Sequence, residues 1–201
     1  MKHISGNPKL ILDNIKNQLK KGVVDRHHGF HTPVFSNIIN HNTITSRTVV
    51  LRKFDYKKSI IFFHSDLRSK KNKNIIKNSN TFFVFYDLKI KYQLRIETIS
   101  KVHHNNDVTA LAWKKTLLSS RKCYLAAKPP GTISDYPTDS LPNHLIGKDP
   151  TVEESQKGYE NFSVIENKIK NIDWLYLSSK GHRKLLISIN KDKIKYDWAI
   201  P

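Results

Sequence analysis

Two short stretches concentrate the side chains that could do chemistry. SRTVVLRKF (46–54) places Arg47 and Arg52 at either end of an apolar run, and FFHSDLRSKK (62–71) stops being apolar at His64 and continues through Ser65, Asp66, Arg68, Ser69, Lys70 and Lys71. Arginine offers a planar fork and lysine a point charge to the same phosphate oxygens. A helix is expected to start at Ser69–Lys71, and a helix start presents free N–H groups and positive potential, which also favour phosphate. The combination suits a phosphate monoester at the mouth of a barrel. The competing reading is a solvated basic helix in a basic protein. In a regular strand Arg47, Val49 and Leu51 share one face and Thr48, Val50 and Arg52 the other. A hairpin between the stretches would bring Arg47 or Arg52 to the end of the IIFFHS run.

Other chemistries lack their residues. No GxxxxGK[ST], GxGxxG or GxSxG occurs, so a P-loop, a Rossmann site and a nucleophile elbow are unsupported. His27, His28 and His31 cluster, as do His103 and His104, without cysteine or spaced carboxylates beside them. Solvated loop histidines are expected there, and no metal site. Asp135, Asp139 and Asp149 form no pair at a defined spacing. The single cysteine, Cys123, excludes an internal disulfide, fits a reducing cytoplasm and reads as a semi-buried small apolar residue.

The elements that must position these groups follow from periodicity. Leu10, Leu12, Ile15 and Leu19 predict a helix over 8–21, ending at Gly22; residues 1–25 read as an N-terminal segment packed on the rest and not as a signal peptide. DRHHGFHTPVF is a loop. VFSNIIN, SRTVVLRKFD, SIIFFHS, TFFVFYD and YQLRIETISKV are five strand-like runs separated by HNT, YKK, a short helix in SKKNKNIIKNS, and LKIK. Residues 107–120 look helical, KPPGTISDYPTDSLPNHLIGKDPT (128–151) is a long loop, and VEESQKGYENFSVIENKI starts as a helix. IDWLYLSS, HRKLLISI and KIKYDWAI are three last strands that would close a barrel. Close-set strands with one helical insertion argue for an antiparallel barrel over βαβ units. The expectation is a mainly β (α+β) protein with peripheral helices, a single domain over 1–201.

The chain has 201 residues and a formal net charge of +18. That charge suits a polyanion such as nucleic acid. It also suits a chain crowded throughout with Lys, Asn and Ile. The lysines are spread out, and neither zinc-finger spacing nor an aromatic RNA-binding signature occurs, which favours the second reading. No apolar run is long enough to span a membrane, so a cytoplasmic protein is expected.

Together, RTVVLR, FFHSDLRSKK, FVFYD and YQLRIET resemble the FMN-binding split-barrel family of pyridoxamine 5'-phosphate oxidase. The resemblance is strongest to a subgroup with the pattern H-[ST]-D-x-R-S-x-K, met by His64, Ser65, Asp66, Arg68, Ser69 and Lys71. It continues through AWKKTLLSSR, the Pro-Pro-Gly loop, NFSVI, IDWLYL, GHRKLLI and the terminal W-x-x-P. It implies a split β-barrel and a homodimer with FMN in a groove between the subunits. Arg47, Thr48, Val49, Val50, Leu51 and Arg52 would line the flavin, with Arg47 on the phosphate. Phe63 and His64 would border the ring and ribityl chain. Lys70 and Lys71, helped by Arg68 and Ser69, would hold the phosphate. Gln93 would bond the isoalloxazine edge, Ser119 would arrive from the other subunit, and Tyr159 and Lys184 would lie near the flavin.

The same resemblance shows departures. The Arg-x-His pair that grips substrate in the vitamin B6 oxidases leaves only His182 here, without the arginine. The Tyr and Arg set for the substrate phosphate is absent around HHNNDVTALAW. An FMN-dependent oxidoreductase acting on a small molecule is therefore expected, with Arg52 or His182 facing the substrate. The alternatives are a genuine pyridoxamine/pyridoxine 5'-phosphate oxidase and a non-enzymatic flavin or haem carrier.

Overall fold

The structure is a computed structural model and describes residues 6–40, 43–190 and 193–201. Residues 1–5 of the predicted N-terminal segment, and His41 and Asn42 of the predicted HNT turn, lie outside the described residues. Among the described residues nine strands form one antiparallel sheet: β1 (Val34–Asn40), β2 (Thr43–Thr48), β3 (Lys53–Asp55), β4 (Ile60–Asp66), β5 (Asn80–Asp87), β6 (Tyr92–His103), β7 (Phe162–Tyr176), β8 (Arg183–Asn190) and β9 (Lys193–Ala199). The hydrogen-bonded order is β2-β1-β5-β6-β7-β4-β3, with β8 added to β7 and β9 to β8. The chain is thus a mainly β protein with peripheral helices, a split β-barrel.

One expected strand is two. SRTVVLRKFD breaks after Thr48 and resumes at Lys53, and its halves pair with β1 and with β4, at opposite ends of the sheet order. The four residues between them reach at most about 14 Å when extended, so the sheet must roll until its ends nearly meet. The seam is stitched by isolated bonds: Val49 N–H to Pro33 O (3.0 Å), Leu51 N–H to His31 O (2.8 Å) and Arg52 N–H to Phe62 O (2.9 Å). The last strands do not close the barrel, contrary to expectation. They branch from β7, which pairs with β4 through Lys168 and with β8 from Asn171 onward. The β6–β7 register also slips beside that change of partner, between Glu97 and Thr98.

The barrel is filled by Phe35, Phe63, Phe83, Phe85, Leu94, Ile96, Ile165, Ile172 and Trp174, one face of each strand at period two. Helix α1 (Pro8–Val24) adds Ile11, Leu12, Ile15 and Leu19, and Asn7 caps it through Lys9 N–H at 3.0 Å. Leu10, expected in the stripe, is 55% exposed, and Ile11 takes its place. Gly22 does not end the helix. A Cβ there would lie 2.9 Å from Phe30 Cβ, so the glycine admits the returning loop.

A second, smaller core covers the other face of β4 and β7. Ile60, Phe62, Phe162 and Val164 pack with Trp113 and Tyr124 beneath α3 (Asp107–Lys115), α4 (Leu118–Arg121) and α5 (Val152–Gln156). The helix predicted over 107–120 breaks at Thr116, whose hydroxyl bonds back to Ala112 O (2.8 Å). NFSVIENKI, read with a helical segment, forms the first half of β7. The long loop carries one short 3₁₀ turn, Asn143–Leu145.

Candidate functional site

Helix α2 (Lys70–Lys77) follows β4 and lies against β1 and β6. Its N-cap, Ser69, makes no side-chain capping bond. Lys71 turns inward and donates to Ser69 Oγ (3.0 Å). Across the gap Arg47, at the end of β2, lies on the barrel-facing side: it sits in one row with Phe35, Phe83 and Ile96, and its guanidinium lies 5.9 Å from the centre of the Phe35 ring. Asn37 Oδ1, Thr45 Oγ1 (2.8 Å) and Thr45 O (3.3 Å) accept from it.

Arg47 and Lys71 repel each other. Burial first, and then the Arg47 charge, push the Lys71 ammonium down to about 8, opposed only by Asp66. Burial also lowers Arg47. A fold that holds two half-buried cations within each other's field, with a serine hydroxyl beside Lys71 and the nearest acid engaged elsewhere, suits an anion there.

Asp66 is that engaged acid. Its carboxylate takes a two-pronged bond from Arg68 (3.0 Å from Nε, 2.7 Å from Nη2), and Arg68 also donates to Ala126 O (3.0 Å). Arg68 therefore ties the start of α2 to the end of the segment that precedes the long loop.

The opposite side of β4 carries a second group. His64 packs edge-on against Phe162 (4.8 Å between centroids). Burial, and secondarily the Arg52 charge, lower it to about 4, so its imidazole is neutral at pH 7. Arg52 is exposed; its charge also reaches Tyr124, whose phenol burial keeps protonated. Phe63 has its ring in the barrel core, 4.9 Å from Phe35, and Val49 and Leu51 are buried there too. These three can meet a ligand only through their backbone. Thr48 is exposed and Val50 half-buried at the seam.

Other expected site residues lie apart. Gln93 and Lys184 share a row through Leu175 on the outer face of the sheet, because Gln93 is three positions from the inward Ile96. Lys184 pairs there with Asp173 (3.4 Å). Ser119 is exposed on α4. Tyr159 bonds Thr109 Oγ1 (2.9 Å) and packs on Trp113 and Phe162. His182 accepts from Ser178 N–H (3.0 Å) in the exposed turn before β8, and Lys70 is exposed.

Two other expectations are corrected. His28 and His31 are not solvated: His28 bonds Gln18 (3.0 Å) and lies 3.6 Å from Asp87, and His31 bonds Gly22 O (2.7 Å). They staple α1 to the barrel. Cys123 is exposed and donates to Ser120 O (3.1 Å). Among the described residues no His, Cys, Asp and Glu group suits a metal, and no helix is long and apolar enough to cross a membrane. Sequence reading missed Asn37 and Thr45, which aim Arg47, and Phe162 beside His64. Asn37 had a signal: a polar residue at an inward position of VFSNIIN.

A rolled antiparallel sheet, split at one seam with a cationic corner beside it, defines the split-barrel class. Residues 12–104, which include both motifs and the seam, match the family described as "Pyridoxamine 5'-phosphate oxidase, FMN-binding domain". Solved structures agree in fold. A pyridoxamine 5'-phosphate oxidase-related, FMN-binding protein from Nostoc punctiforme superposes with a TM-score of 0.73 at 15% identity, covering 98% of this chain and 100% of that one. PhzG from Burkholderia lata, in complex with tetrahydrophenazine-1-carboxylic acid, gives 0.69 at 11%, covering 99% and 95%. A general stress protein 26-related protein of the pyridoxinephosphate oxidase family from Clostridium acetobutylicum gives 0.54 at 7%, covering 96% of each chain. No curated protein sequence matches significantly. The resemblance to the pyridoxamine 5'-phosphate oxidase-like FMN-binding split-barrel family thus stands on both the sequence match and the fold.

Proposed function

We propose that the chain binds FMN and serves as an FMN-dependent oxidoreductase on a small molecule, working as a homodimer in the cytoplasm and as one unit over residues 1–201. The observation that carries this reading is the mutual repulsion of Arg47 and Lys71 beside the seam, which a phosphate dianion would relieve. Arg47, Lys71 and Ser69 would hold that phosphate, with Lys70 at the rim. The backbone of 48–52 and of Phe63 would border the flavin, and neutral His64 would offer it an uncharged imidazole. Arg68, already bound to Asp66 and Ala126, would keep the cradle in shape. FMN when bound supplies hydride transfer at its ring. Arg52 would orient an anionic substrate group near the ring, with His182 as the second candidate.

Gln93, Lys184 and Ser119 lie off this corner, so in this reading they act on the partner's flavin. The outer sheet face supports a dimer: Ile44, Tyr86, Ile99 and Leu186 are exposed there, and a trough of about 540 Å³ runs past Ile38, Ile44, Phe82 and Ile99. The purified protein should be yellow, with flavin absorbance released on denaturation. Protein that is colourless and takes up no added FMN would overturn the reading.

A further inference from the structure

We infer that α2 presents a second anion-binding surface, fitted to the phosphate backbone of a single-stranded nucleic acid. The sequence left the lysines looking dispersed; the helix gathers three of them. Lys70, Lys73 and Lys77 fall at i, i+3 and i+7, along one exposed face, with Asn74 beside them. They rise about 4.5 Å and then about 6 Å along the axis. Helix α2 contains no acidic residue. Among the described residues no carboxylate lies within ion-pair distance of these three lysines.

The contrast with α1 gives the stripe its meaning. There Lys16 and Lys20 lie over the Tyr56 ring (4.9 and 4.3 Å), and Tyr56 donates to Asp13 Oδ1 (3.0 Å) in the same patch. Lys16 and Lys20 are engaged on that ring, whereas Lys70, Lys73 and Lys77 face solvent. A phosphate chain would replace its counterions with them. Asn74 adds amide donors and acceptors at the same height, the pairing of charge and amide that nucleic-acid surfaces use. An anionic membrane fits less well. Ile76 is the only apolar side chain α2 exposes, too little apolar area for insertion. The stripe meets the inward Arg47–Lys71 corner only at Lys70, on its rim; Lys73 and Lys77 lie further along the helix.

The test is fluorescence anisotropy with a labelled oligothymidylate of about 20 nucleotides at several salt concentrations. The intact chain should bind with a log–log salt slope of roughly −2, from three lysines at about 0.7 each. Lys73→Gln/Lys77→Gln should weaken binding at about 50 mM salt by at least about tenfold and flatten the slope by roughly 1.4. Lys73→Arg/Lys77→Arg should restore both. Lys16→Gln/Lys20→Gln, which removes the same charge from α1, should change affinity less than about twofold. Equal losses in the two glutamine variants would mean that net charge alone binds. That result, or no binding at low salt, overturns the inference, as does tight binding only to anionic vesicles. FMN uptake, read by absorbance, should be unchanged in Lys73→Gln/Lys77→Gln, so failure here is distinguishable from failure of the flavin reading.

Discussion

The seam corner and the outer sheet face hold cations in opposite ways. At the corner, Arg47 and Lys71 lie in each other's field and, among the described residues, neither makes an ion pair with a carboxylate, and Lys71 is driven down to about 8. On the outer face Lys184 and Arg95 both reach Asp173, whose carboxylate offsets part of their charge within one chain. Exposed pairs of that kind contribute little stability. A repelling pair costs stability and persists where a ligand offsets the cost. In the proposed reading the anion belongs at the corner, and Gln93, beside the outer-face pairs, would make its contacts across a subunit boundary.

The largest expected effect separates scaffold from site. Phe63 lies inside the second stretch of the motif, yet its ring is core. Phe63→Ala should cost about 3–5 kcal/mol of stability in urea unfolding. A loss below about 1 kcal/mol would return Phe63 to the cofactor groove. Next comes Arg47→Ala/Lys71→Ala, which should reduce FMN affinity by at least about a hundredfold, two charge-assisted contacts of roughly 1.5 kcal/mol or more each, while leaving thermal stability unchanged or raised. Unaltered uptake would move the phosphate elsewhere.

The pH dependence is smaller. The folded value of Lys71 lies below its unfolded one, so between about 8 and 10.5 the unfolded chain binds more protons. Apo stability should therefore rise across that window. FMN affinity should do the reverse: flat below about pH 8, then weakening by up to about tenfold per unit as the free ammonium loses its proton. Affinity that is constant from pH 7 to 10 would remove Lys71 from the phosphate.

The smallest effect sharpens the comparison most. Gln93→Ala should weaken FMN by about two- to tenfold, one neutral hydrogen bond. Mixed dimers of Gln93→Ala with Arg47→Ala/Lys71→Ala should retain one intact site, since both lesions then fall in the other site. Two weakened sites per mixed dimer would place Gln93 on its own chain's flavin.

Much of this was legible in advance because it is local. Alternation in TFFVFYD and YQLRIETISKV gave β5 and β6, and the basic cluster after FFHS gave the start of α2; which of Lys70 and Lys71 turns inward was not legible. The break in SRTVVLRKFD was not legible. Val49, Val50 and Leu51 have every local preference of a strand, and only the demand that one chain serve both ends of a rolled sheet pulls them off the ladder. The same is true of β7. NFSVIENKI follows a helical start without a turn signal, and its strand state comes from pairing with β4 and β6, which are distant in sequence. Motif residues were located by type, but their faces depended on register. Hence Phe63 points inward and Gln93 outward, and Arg68 spends its guanidinium on Asp66.

The most direct measurement is the titration of the Lys71 ammonium by NMR, with and without FMN. Without FMN its midpoint should lie near 8; with saturating FMN it should rise towards or beyond the ordinary lysine value, because a dianion then sits between it and Arg47. A midpoint that FMN leaves where it was would contradict a phosphate seated at the seam.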